Sequence, residues 1–174
     1  MLIEFGGKRP TIGRNVFIAP TAVLIGDVTV GDNTSIWFNA VLRGDFGPIR
    51  VGSGCSIQDN VTIHVFEETI IGDNVTIGHN AAVEGCVIGD GTVVGMNATV
   101  LPGVRVGREV MIAAGSVLPE RMVVPDRVLV AGVPAAVKKE LSGEALAWIG
   151  RAPADYQQLQ ARYRALGIGL SEDA

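Results

Sequence analysis

Aromatic residues make up only 5% of this 174-residue chain, and cysteine and histidine occur twice each. So few large rings cannot fill an ordinary globular core. Two cysteines cannot build the disulfide framework or four-thiolate metal site of a small secreted domain. No apolar run is long enough to span a bilayer, Met1-Leu2-Ile3-Glu4 opens no secretory leader, and the net charge of −4 comes with no Lys/Arg cluster. These absences argue against a membrane protein, an exported protein and a nucleic-acid binder. They predict a cytoplasmic protein whose two thiols, Cys55 and Cys86, are buried and unpaired.

Instead the chain is 48% apolar and carries 23 glycines. A core of small β-branched residues with so much glycine implies many short strands and tight corners rather than a helical bundle. From Ile12 an aliphatic residue recurs every six positions, at Ile18, Leu24, Val30, Ile36 and Leu42, and four residues after each comes Val16, Ala22, Val28, Thr34, Ala40 or Phe46. A unit this small cannot bury its own apolar face and has to stack on its neighbours. The expected fold is all-β: a left-handed parallel β-helix of hexapeptide repeats, with a C-terminal α-helix.

Three hexads per coil sort the aliphatics into three faces. Face one takes Ile12, Val30, Val51, Ile71, Ile88 and Val106. Face two takes Ile18, Ile36, Ile57, Ile77, Val94 and Ile112, and face three Leu24, Leu42, Ile63, Val83, Val100 and Leu118. This reading gives six coils, with a lead-in over 1–11, the β-helix over 12–135 and a helical segment over 136–174. Within that segment Ser142 is the expected cap, Pro153 the expected interruption, and Tyr156, Leu159, Tyr163 and Leu166 the packing stripe. The spacing departs from six between Leu42 and Val51, Ile63 and Ile71, and Val83 and Ile88. All three departures follow face three, so loops gather along one edge, where such a scaffold carries function. The GD and GDN pairs elsewhere read as corners, with glycine or asparagine supplying the bend.

Equivalent positions on successive coils lie about 4.8 Å apart and form ladders. The ladder after face three reads Ile25, Arg43, His64, Glu84, Leu101, Pro119; a second, two residues after face two, reads Pro20, Phe38, Asp59, His79, Met96, Ala114, with Gln58 beside Asp59. Polar rungs thus occupy the same middle coils on two faces. His64 and Glu84 are adjacent rungs and can reach one metal ion whose ligand atoms each sit about 2.0–2.2 Å away. His79 lies on another face, five residues before Glu84, and that extended span of up to about 17 Å puts it out of reach within one chain. If it binds the same ion it comes from a neighbouring chain, and a cyclic homotrimer would set face two of one subunit against face three of the next. Spacing alone leaves open that both histidines are ordinary hydrogen-bonded residues, that Arg43 and Asp45 form only an ion pair, and that Gln58 and Asp59 cap turns.

The segments SIWFNAVLRGD, SIQDNVTIH and IGDNVTIGHNAAVEGCVIGDGTVVGMNA resemble the gamma-class carbonic anhydrase-like family of left-handed β-helix trimers. The likeness extends over almost the whole chain. It implies a zinc (or iron) ion held between subunits of a homotrimer by three histidines, with His64 and His79 on two of those positions. Arg43 and Asp45 would then bridge subunits, while Gln58 and Asp59 would orient metal-bound solvent. The implied reaction is reversible hydration of CO2 to bicarbonate by metal-bound hydroxide. Where the family has a GHxxxxHGC pattern this chain has GHNAAVEGC, so Glu84 takes the third ligand position. Val130 stands where many relatives carry a tyrosine, and Phe46 where the best-studied active type is acidic.

Two other readings stay open. Glu84 could retire the metal, leaving a non-catalytic trimeric scaffold. VLVAGVPAAVKK is also similar to the AGxPAK tail of hexapeptide acyltransferases, which bind CoA esters along the coil. Against acyl transfer stand the paired histidines with RGD and QD, and the lack of a long acceptor-binding loop with a lone histidine.

Overall fold

The computed structural model describes residues 1–169. Its hexads wind into a parallel β-solenoid whose in-register rungs are those of the sequence pattern. Face one runs Ile12, Val30, Val51, Ile71, Ile88, Val106 and on to Val124. Face two runs Ile18, Ile36, Ile57, Ile77, Val94, Ile112 and on to Val130. Face three begins one rung earlier than expected, because Leu2 pairs with Leu24, and ends at Leu118.

The solenoid therefore has about seven turns rather than six. Leu2–Ile3, placed in the lead-in by sequence, is its first strand. The last coil is disguised by Pro119 and Pro125. On earlier coils the residues at these positions, Leu101 and Gly107, donate their N–H to the next turn. The final coil has no next turn, so proline there forfeits no ladder bond. Its face-two edge is covered by Ala135–Glu140, an antiparallel strand paired with Val128–Gly132. Those residues thus start the expected helical segment as a strand, which shields an otherwise open edge.

Leu24, Ile36, Leu42, Ile57, Ile63 and Ile77 are fully buried along the axis. Each such side chain contributes about 1.5–3 kcal/mol, and stacking supplies what no single hexad could. In the GDN corners the asparagines Asn33 and Asn74 hold the positive φ. The neighbouring glycines serve close approach instead: a Cβ on Gly31 would lie 2.6 Å from the carbonyl carbon of Gly52.

Two strands, Val23–Val30 and Val41–Val51, run straight through the corner between faces three and one and merge those faces into one sheet. Here the inward register expected at Phe46 fails. The insertion turns Phe46 outward, and Ile49, paired with Val28, fills the core.

Among the described residues a single helix, Glu144–Ala165, follows the solenoid, and Gly143 rather than Ser142 occupies its N-cap. Pro153 lies inside it without breaking it. The roughly 3 kcal/mol cost of an interior proline is offset by packing on both sides, from buried Ile149 and from Tyr156, Leu159 and Tyr163 on the solenoid core. Tyr163 meets Phe17, Trp37 and Phe38 at ring separations of 5.6, 5.3 and 6.0 Å. Leu166, the expected end of that stripe, is exposed.

Candidate metal centre

The irregular edge after face three brings Arg43, Asp45, His64 and Glu84 together. Arg43 pairs in register with His64, and His64 with Glu84. Asp45 follows two residues after Arg43 and is held by its guanidinium. Its Oδ1 lies 2.9 Å from Nε2 of His64. Burial works against ionisation of Asp45, but hydrogen bonds from Arg43 and His64, with the guanidinium charge, outweigh it and hold the carboxyl below the usual carboxylate range. An ionised carboxylate can only accept, so a neutral His64 carries its proton on Nε2. The lone pair on Nδ1 then faces Glu84, whose Oε1 is 3.8 Å away.

Two features that spacing did not reveal fix this corner. Buried Thr69 donates its hydroxyl to the carbonyl of His64 and accepts the N–H of Gly85, tying the loop to the next coil. Gly85, at φ +51°, makes the shortened turn after Glu84 possible. Phe46 and Phe66 from successive insertions stack on one another beside His64. Their only sequence signal is two phenyls placed in corners of a chain poor in aromatics.

The second group lies on the face-two ladder. Nδ1 of His79 is 2.8 Å from Oδ2 of Asp59, which in a neutral ring leaves the lone pair of Nε2 available to a metal. Buried Gln58 accepts the backbone N–H of His79 through Oε1, and Asp59 accepts that of Phe38. Trp37 anchors the ladder from inside, its indole N–H shared between the hydroxyls of Ser35 and Ser56. Val130 is fully buried as the last rung of this face and takes no part in either group.

Among the described residues no three His, Cys, Asp or Glu side chains converge to hold a metal within one chain. The donor chemistry nevertheless fits one. Each histidine has one ring nitrogen taken by a carboxylate and the other left as a donor, the arrangement that orients metal-binding imidazoles. Ligand atoms about 2.0–2.2 Å from a tetrahedral ion are roughly 3.4 Å apart, close to the observed His64–Glu84 separation.

The pattern of the bacterial transferase hexapeptide family (six repeats) matches residues 9–44, 68–100 and 85–120. Gamma carbonic anhydrase 2, mitochondrial, of Arabidopsis thaliana is 42% identical over 166 residues, covering 91% of this chain and 60% of that protein. The chain thus spans about 60% of the length of the plant relatives it matches. Carnitine operon protein CaiE of Escherichia coli is 39% identical over 163 residues, covering 92% of this chain and 83% of CaiE. A crystal structure of a hexapeptide transferase family protein from Anaplasma phagocytophilum superposes with a TM-score of 0.92 at 37% identity, covering 94% of this chain and 98% of that one. No helix among the described residues is long and apolar enough to cross a membrane.

Proposed function

The chain belongs to the hexapeptide-repeat family, and on that premise we propose that it is a gamma-class carbonic anhydrase-like metalloprotein catalysing the reversible hydration of CO2 at a site shared between subunits of a homotrimer. The observation that carries this reading is the paired carboxylate–histidine geometry, Asp45 on His64 and Asp59 on His79, which leaves one donor nitrogen on each ring. The 42% identity with plant gamma carbonic anhydrase 2 across nine tenths of the chain supports it.

His64 and Glu84 of one subunit and His79 of the next would hold zinc or iron. When bound, the ion acidifies a coordinated water and so supplies a nucleophile near neutral pH. Asp45, kept ionised by Arg43, fixes the His64 proton on Nε2. Asp59 does the same on Nδ1 of His79, while Gln58 holds the backbone of that histidine in place. Asp59, whose other oxygen accepts the backbone N–H of Phe38, would orient metal-bound solvent through a remaining lone pair. A carboxylate ligand in place of a third imidazole leaves less net positive charge on the ion, so activity should rise at higher pH than in a three-histidine site. The two buried, unpaired thiols suit a reducing compartment such as the cytoplasm.

The test is metal content on protein purified without added metal, followed by stopped-flow CO2 hydration. Metal at about one ion per chain with catalysis lost in Glu84→Ala supports the reading. No metal even after loading would leave the scaffold or acyl-transfer alternatives, the second favoured by likeness to a hexapeptide transferase family protein.

A further inference from the structure

Two phenyl rings stand beside His64, and neither belongs to the repeat. Phe46 enters from one insertion after face three and Phe66 from the next. Their ring centroids are 5.3 Å apart with planes 13° from parallel, and they lie 5.8 and 5.7 Å from the imidazole. Within one chain both are about two thirds exposed, at 65% and 64%, so packing in the chain's own core does not account for them. The inward position of that hexad is already taken by Ile49. Held outward in this way, the pair forms an apolar surface at the mouth of the site.

Phe66 also lines a cleft of about 410 Å³ that carries Glu67, Glu68 and Glu84. Among the described residues none of these carboxylates is paired with a lysine or arginine. Arg105 and Arg121, which line the same cleft, sit one and two coils further along. With Glu120 also in its lining, the cleft is aromatic at Phe66 and net negative.

We infer that the Phe46–Phe66 pair and the carboxylates beside it are a charge filter for His64, admitting a small uncharged reactant and turning anions away. An anion approaching this mouth must shed water against two phenyl faces and meets a cleft whose carboxylates, Glu67, Glu68, Glu84 and Glu120, outnumber its guanidiniums, Arg105 and Arg121. A molecule such as CO2 meets neither obstacle. For its substrate the inference rests on the proposed function, in which Glu84 would be held by the ion and the filter acts through Phe46, Phe66, Glu67 and Glu68, so that CO2 enters freely while approach of bicarbonate is disfavoured.

The experiment uses metal-free, assembled protein and two nearly isosteric alkylating reagents, neutral bromoacetamide and anionic bromoacetate. Modification of His64 is counted by peptide mass spectrometry, with N-acetylhistidine amide in the same solution as reference. The buried thiols, pushed up to about 12, compete little. In wild type the neutral-to-anionic rate ratio at His64 should exceed the reference by about fivefold, the effect of one unit charge at about 4 Å in water. Phe46→Ser/Phe66→Ser should bring the ratio down, and Glu67→Gln/Glu68→Gln should lower it partway, both with native circular dichroism. A wild-type ratio equal to the reference, or one unchanged in both double variants, would overturn the filter. Failure to load metal or hydrate CO2 with the expected ratios would refute the proposed function and leave the filter standing; metal loading and turnover with flat ratios would do the reverse.

Discussion

Asp59 and His79 are consecutive rungs of one ladder, and the carboxylate oxygen of one stands 2.8 Å from the imidazole Nδ1 of the other. This contact makes His79 a directed donor rather than a free surface ring. Asp59→Ala should lower zinc affinity by about 10–100-fold while leaving the fold intact, measured by competition with a chromophoric chelator. Unchanged affinity would mean that the contact is only a local hydrogen bond.

The edge after face three also carries, on the first coils beside Asp45 and Phe46, a surface ion triad. Asp27 accepts from Arg50 and from Lys8, and these two hydrogen bonds, the Arg50 one foremost, hold its carboxyl below the usual carboxylate range despite partial burial. A depressed folded-state value means stability that is present above the ordinary carboxylate range and lost as pH falls through the folded value. Wild-type Tm should therefore drop on acidification, and Asp27→Asn should lower Tm at pH 7 while flattening the acid limb. Parallel Tm–pH curves for the two proteins would contradict this.

Helix docking depends on an aromatic cluster in a chain that has few aromatics. Tyr163→Ala removes edge contacts to Phe17 and Trp37 and a tilted one to Phe38. It should cost about 2–4 kcal/mol in urea unfolding, whereas exposed Leu166→Ala should cost under about 0.5 kcal/mol.

Burial raises the thiols of Cys55 and Cys86 to about 12. Native protein at pH 8 should resist iodoacetamide for hours, and both thiols should react at once in urea. Rapid labelling of either in the native state would show that the solenoid opens locally.

The period of six made the three faces, the inward residues and the His64–Glu84 adjacency legible in sequence, because a repeating unit fixes where each side chain points. Legibility failed where the period is broken or ends. Phe46 turns outward because an insertion shifts the register after Asp45, and no count of hexads predicts that it will meet Phe66. The last coil hides behind Pro119 and Pro125, whose missing N–H matters only on interior turns. Ser142 looked like a cap, but the chain turns at Gly143, which takes the positive φ. Pro153 looked like a break, yet buried neighbours hold the helix through it. Spacing places Asp59 and His79 on one ladder, whereas the tie between their side chains, and that of Asp45 to His64, depends on side-chain rotamers that the period does not fix.

The most direct test of a shared site is complementation between two disabled chains. His64→Ala and His79→Ala trimers should each bind no metal. Mixed trimers formed by co-expressing the two variants contain some interfaces in which an intact His64 faces an intact His79. In a cyclic trimer of randomly mixed chains about a quarter of the interfaces are of this kind, so metal content and CO2 hydration should recover to about a quarter of wild type. No recovery in mixed trimers, or full metal in either single variant, would contradict a site built from two subunits.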